Sequence, residues 1–162
     1  MGKYNEVGNN NKHKGEQAQK FVIAAFARYE IEVALPMSDN LPFDFVAIYN
    51  GKLFKVQVKS STKGNKGSDV ETVVFSCRRS NWWRKTQTKY TAEDADVFVG
   101  YDARDGGVYL LKQSDFVGRN CFSIRKHPSR GVRKGCNFSD DYCINEERIK
   151  KVFGLEALTA KH

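Results

Sequence analysis

The feature that most constrains this chain is the stretch NLPFDFVAIYNGKLFKVQVKSST, residues 40–62. Two apolar-rich runs meet at Asn50-Gly51, a dipeptide suited to a two-residue hairpin turn with both central residues at positive φ. That turn fixes the register. Tyr49 pairs with Lys52, so Asp44 lies directly opposite Gln57, and opposed residues share a face of the sheet. Lys59, two residues beyond Gln57, points the same way because strand side chains alternate. Phe43, Phe45 and Ala47 of one arm and Phe54, Val56 and Val58 of the other form the opposite, core-like face. Burial of that face forces Asp44, Gln57 and Lys59 together on the other, unless a bulge moves the register by one. The trio admits two readings: an Asp44–Lys59 salt bridge with Gln57 alongside, or a functional site.

The rest of the chain surrounds this hairpin. GEQAQKFVIAAFARYE, 15–30, predicts a helix with Ala18, Phe21, Val22, Ala25 and Tyr29 on one stripe. Glu16 falls in its first turn, where a carboxylate suits the positive end of the helix dipole. IEVALP (31–36) and ETVVFSC (71–77) predict strands, with loops at 36–42 and 63–69. DVFVGYDARDGGVYLL, 96–111, predicts a second hairpin turning at Asp-Gly-Gly. Residues 112–143 read as irregular and basic, and 145–158 as a helix interrupted at Gly154. The order predicts the α/β class, a mixed β-sheet flanked by helices. A single domain over 1–162 is expected, its core at about 13–112 and an elaboration at about 113–162. Residues 1–13 are expected to form a loose polar leader. They lack the apolar centre of a secretion signal, and no apolar run approaches the ~18 residues of a membrane span, so a cytoplasmic location is expected.

Charge narrows the partner. The chain carries a net charge of +8, and fifteen of its 27 Lys and Arg fall in three windows without an acid, 52–66, 78–90 and 125–134. One such window reads as a solvated surface; three in one domain favour a polyanion, nucleic acid above all. The four cysteines form no CxxC pair. Cys121, Cys136 and Cys143 with His127 could supply four zinc ligands, but their spacing matches no common pattern, and reduced thiols are the better reading.

A helix opened by KGE (14–16), the loop PMSDNLPFD, the hairpin, VQVKSS (56–61), then YTAEDADVFVGYD and VYLL occur in that order. This set, spanning roughly 13–112, resembles the PD-(D/E)xK nucleases, the restriction-endonuclease-like superfamily, and within it the branch of intron-encoded homing endonucleases. Two departures stand out. Phe43 precedes the aspartate, with Pro42 one place earlier, and the second acid is Gln57. The homing branch is similar in the latter respect, having QxK.

The resemblance implies an endonuclease acting on double-stranded DNA with Mg²⁺, for which Mn²⁺ can substitute. Asp44 would be the anionic ligand, Gln57 a neutral one through its amide oxygen, and the Val58 carbonyl a further one. Glu16 would restore negative charge, and Lys59 would orient the water and stabilise phosphate charge. Ser60, Ser61, Lys63, Lys66, Arg78, Arg79, Asn81, Arg84, Lys85, Gln87 and Lys89 are the candidate DNA contacts. Trp82 and Trp83 are expected in a core or subunit interface more than against bases. Cutting both strands implies a homo-oligomer, dimer or tetramer, and the resembled homing enzymes are tetramers. Two alternatives remain at this point. One is a Holliday-junction resolvase; the other is a non-catalytic DNA-binding protein on a degenerate nuclease fold.

Overall fold

A computed structural model describes residues 3–61, 64, 71–81, 84–127 and 135–154. The chain opens with helix α1 (Lys3–Ala27). It continues through strands β1 (Glu32–Ala34), β2 (Phe45–Tyr49), β3 (Lys52–Ser61), β4 (Thr72–Ser76), β5 (Arg78–Asn81), β6 (Thr86–Lys89), β7 (Val97–Asp102) and β8 (Gly107–Lys112). Helix α2 (Gln113–Phe116), strand β9 (Cys121–Arg125) and helices α3 (Ser139–Tyr142) and α4 (Glu146–Val152) follow.

The central sheet has the order β1-β2-β3-β7-β8. Only its β3–β7 pair is parallel, so the sheet is mixed, as the sequence predicts. The β2–β3 hairpin turns at Asn50 (φ 48°) and Gly51 (φ 72°), the double positive φ that Asn-Gly supplies most readily. Phe45 pairs with Val56 and Tyr49 with Lys52, which is the predicted register.

One face of this sheet takes α1 and α4. Ala18, Val22 and Phe26 recur every four residues, and all three are fully buried against Phe45, Ala47, Val56, Val58, Val97 and Val99. Ile149 and Phe153 join the same core. Each large apolar side chain so buried stabilises the fold by roughly 1.5–3 kcal/mol. The expected stripe needs correction: Phe21 is 55% exposed, stacked on Tyr101, and Phe26 takes the buried place. Tyr29 lies past the helix, which ends at Ala27.

The other face is covered as well. The β4–β9 pair lies over it, with Phe75, Phe122 and Ile124 packed against Phe98, Tyr109 and Leu111. Gly100 permits the closest approach, since a Cβ there would meet the Phe75 ring at 2.5 Å. Phe43 belongs to this second core, not to the first. It precedes β2, in a bend where strand alternation does not hold.

Three further expectations differ from the structure. Residues 3–13 continue α1 where a loose leader is expected; a polar helical stretch has no apolar period to reveal it. The region 112–143 holds β9 and two short helices, and residues from 113 onward supply Phe116, Phe122, Ile124, Ile149 and Phe153 to the two cores. Finally, β5 and β6 form a two-stranded ribbon out of the segment around Trp82 and Trp83. Those tryptophans, Lys63 and Lys66 lie outside the described residues. No described helix is long and apolar enough to cross a membrane.

Candidate active site

The site arises because β3 outruns β2. Pairing with β2 stops at Val56, so the backbone of Val58 has no strand beside it on that edge. Asp44, just ahead of β2, fills the gap. Its backbone N–H donates to Val56 O (2.8 Å), and Val56 is already paired with Phe45, so the ladder register is not carried on to Asp44. Its Oδ2 then accepts the Val58 N–H at 2.7 Å. The ladder pair of Asp44 with Gln57 expected from the turn does not form, but the two meet through their side chains: Gln57, buried on the face opposite Phe45, donates from Nε2 to Asp44 Oδ2 (2.7 Å) and to Val58 O (2.9 Å).

Lys59 shares this face but does not pair with the aspartate. Its ammonium donates to Arg78 O at 3.2 Å and lies 5.4 Å from the centre of the Tyr90 ring. The salt-bridge reading of the trio is therefore not what the structure shows. Burial pushes the Asp44 carboxyl above its usual range, opposed by the Val58 N–H and the Lys59 charge. Burial also pulls the Lys59 ammonium down, opposed by Asp44 and Cys77.

Gln57, Lys59 and Tyr90 line a cleft of about 360 Å³ with Asp39, Asn40, Leu41 and Pro42 of the β1–β2 loop and Arg79, Ser80 and Asn81 of β5. A larger hollow of about 420 Å³ lies beside the hairpin turn at Tyr49 and Asn50 and holds none of the trio. Its size does not outweigh its lack of chemistry.

The donor set suits a hard cation in one respect. Asp44 Oδ2 and Val58 O converge on a single donor, the Gln57 amide nitrogen, which occupies the kind of position a cation takes between oxygen ligands. For a cation to sit there the amide nitrogen must leave, and the Gln57 side chain must turn its oxygen toward that point to join the other two as a ligand. The charge is low, however. Glu16 is exposed, and the contact that α1 makes to Asp44 comes from Gln19, whose Nε2 reaches Asp44 O at 3.5 Å. Among the described residues no group of three or more His, Cys, Asp or Glu is placed to hold a metal, and this includes Cys121, Cys136, Cys143 and His127.

The candidate DNA contacts divide. Arg79, Asn81, Arg84, Lys85, Gln87 and Lys89 are exposed on the ribbon, with Arg79 reaching Asn40 O (3.4 Å). Arg78, at its base, is half-buried and donates to Gln87 Oε1 (3.2 Å). Ser61 is buried, and its hydroxyl donates to Val74 O. Ser60 pairs with Tyr101 and points to the opposite face from Lys59. Sequence reasoning missed Tyr90, Gln19 and the loop residues 39–41. Tyr90 ends the second basic window and opens YTAEDADVFVGYD, but nothing local to it gives it a role; it is placed by the ribbon.

A family model described as PD-(D/E)XK endonuclease matches residues 9–144. Among solved structures the chain is similar to a bacterial homing endonuclease, I-Ssp6803I. The TM-score is 0.68 and the identity 25%, over 93% of this chain and 97% of that one. The crystal structure of MepB aligns at a TM-score of 0.32 and 12% identity, over 86% of this chain and 91% of that one. No curated protein sequence matches.

Proposed function

Because the chain belongs to the PD-(D/E)XK endonuclease family, we propose that it is a metal-dependent, site-specific endonuclease of the homing type, hydrolysing phosphodiester bonds in duplex DNA. The observation that carries this reading is the convergence of Asp44 Oδ2 and Val58 O on the Gln57 amide, with Lys59 on the same face of an open cleft. Similarity to a homing endonuclease over nearly the whole chain supports that type over a junction resolvase.

Asp44, the Gln57 amide oxygen and the Val58 carbonyl would hold Mg²⁺, or Mn²⁺ in its place, and Glu16 would add negative charge from α1. When bound, such an ion polarises a phosphate oxygen and lowers the pKa of a bound water. Lys59 orients the attacking water and stabilises the charge that grows on the phosphate. The ribbon, with Ser60, Lys63 and Lys66, positions the duplex through its backbone and base edges. The described residues hold one such centre, so cutting both strands calls for a homo-oligomer, dimer or tetramer. Four unpaired cysteines support a reducing compartment such as the cytoplasm.

A random-sequence duplex library incubated with Mg²⁺ should yield one preferred cleavage site. Lys59→Ala should slow cleavage at that site by about 100-fold or more, yet bind the duplex nearly as the parent does, since it removes one cation among many. A parent that binds duplex but never cuts it with either metal would be a DNA-binding protein on a nuclease fold. Sequence-blind cutting of four-way junctions would make it a resolvase.

A further inference from the structure

The ribbon and the site meet at one place. Arg78 opens β5 and pairs with Lys89, the last residue of β6, so these two form the ribbon's base. Tyr90 follows at once. The two contacts of the Lys59 ammonium, the Arg78 carbonyl and the Tyr90 ring, thus come from the two feet of the ribbon. None of the ion pairs among the described residues includes Lys59.

Tyr90 is itself fixed. It is 3% exposed, and its ring packs edge-on against Phe98 (5.7 Å) and Phe116 (6.3 Å). A half-buried ammonium must recover the interaction it loses with water, and a carbonyl together with an aromatic face does this. Those contacts decide where the ammonium sits. On the outer part of the same ribbon, Arg79, Arg84 and Lys85 are exposed.

We propose that Tyr90 is a positioning residue: with the Arg78 carbonyl, its ring holds the Lys59 ammonium beside Gln57, so that the element presented to DNA also sets the lysine. The catalytic consequence rests on the endonuclease reading above; the positioning itself does not.

The test separates the two. The Cε–Hε NMR signals of Lys59, assigned by their loss in Lys59→Arg, report the ring directly, because an aromatic face shifts nearby protons upfield. Tyr90→Phe should keep the shifted signals, and Tyr90→Leu should return them to the ordinary lysine position. On a duplex the parent cuts, taken from the random-sequence library, Tyr90→Leu should cut about 10-fold more slowly in single turnover with unchanged duplex affinity. Tyr90→Phe should restore most of that rate. Tyr90→Met, unbranched and able to fill the space, repeats the comparison if the leucine variant fails to fold. Unmoved Lys59 signals in the Leu or Met variant overturn the proposal whatever the parent cuts, and so does a loss of duplex affinity that accounts for the lost rate. A parent that cuts no DNA, while its Lys59 signals follow Tyr90, sinks the endonuclease reading and leaves the positioning in place.

Discussion

Asp44 and Asp102 project from the same face of the central sheet, yet they have opposite surroundings. Asp102, at the end of β7, is fully buried and saturated with cations. Arg104 donates to it from Nε (2.9 Å) and Nη2 (2.8 Å), and the Lys126 ammonium lies at 2.5 Å while also meeting Asp105. Arg104 continues to Thr72 O, so the cluster ties β4 and the residue after β9 to the sheet. Among the described residues the donors to the Asp44 carboxylate are neutral, an amide and a backbone N–H, and the nearby ammonium is turned to a carbonyl. One carboxylate is lowered to about 2, chiefly because Arg104 and Lys126 outweigh the opposing cost of burial; the other is raised by burial. The difference separates two uses of an acid withdrawn wholly or partly from water. A cation supplied by the chain closes a structural joint. On the reading proposed above, a cation left unsupplied makes a site that would accept one.

Removing each charge in turn breaks the comparison most sharply. Asp44→Asn keeps an oxygen for both neutral donors but deletes the anion. Cleavage should fall by about 10³-fold, while stability stays level or rises by up to roughly 1 kcal/mol. Asp102→Asn should leave cleavage per folded molecule near parental and cost about 3 kcal/mol, the low end for breaking a buried pair, because Lys126 retains Asp105 and Arg104 lies 3.9 Å from Glu71. Urea unfolding and cleavage assays on both variants decide the matter. If Asp102→Asn loses cleavage while folded, or Asp44→Asn cuts normally, the division of roles is wrong.

Acid sharpens the same contrast with a smaller effect. The folded value of Asp102 lies below its ordinary 3.8, so its stabilisation is fully present above that pH and is lost as pH falls through about 2. The loss amounts to about 2 kcal/mol. Asp44 works in the opposite sense. Its folded value is raised, so proton uptake above 3.8 favours the fold. In urea titrations from neutral pH to about pH 2, the deficit of Asp102→Asn against the parent should shrink on acidification. Any advantage of Asp44→Asn should be greatest near neutrality and vanish in acid. Parallel curves for the two variants would count against the assigned environments.

Why the sequence reveals one of these carboxylates and not the other follows from range. Asn50-Gly51 pins a register that reaches five pairs back to Phe45; from there Gln57 and Lys59 fall on one face by alternation, and Asp44, one residue ahead of β2, is close enough to be joined to Gln57. That information is local. Asp102 is paired by Lys126, 24 residues on, through the β4–β9 pair, and nothing near Asp102 announces that partner. The same limit hid the cover layer, the role of Phe26 and the grip on Lys59. Each depends on where a distant element docks. Glu16 shows the converse: the family resemblance gives it a role at the site, while the contact that α1 makes to Asp44 belongs to Gln19, three residues further along and with no motif to mark it.

Gln57→Glu gives the smallest effect and bears most directly on what Asp44 lacks. The substitution keeps the side-chain length and sets a second carboxylate against Asp44, where Nε2 now donates at 2.7 Å. Without metal, the two anions repel and the donor to Val58 O is lost, so the protein should lose about 1 kcal/mol of stability. With Mg²⁺ the added charge should tighten binding by several-fold up to about 10-fold, and the apparent melting temperature should climb further with metal than the parent's does. Turnover can move either way, because firmer ground-state binding need not favour the transition state. The measurement is the melting temperature of both proteins across a Mg²⁺ series. A variant whose melting temperature ignores Mg²⁺ would show that Asp44 and its neighbour do not clamp a metal, and the hairpin would then need another account of why an acid is half-buried there without a cation.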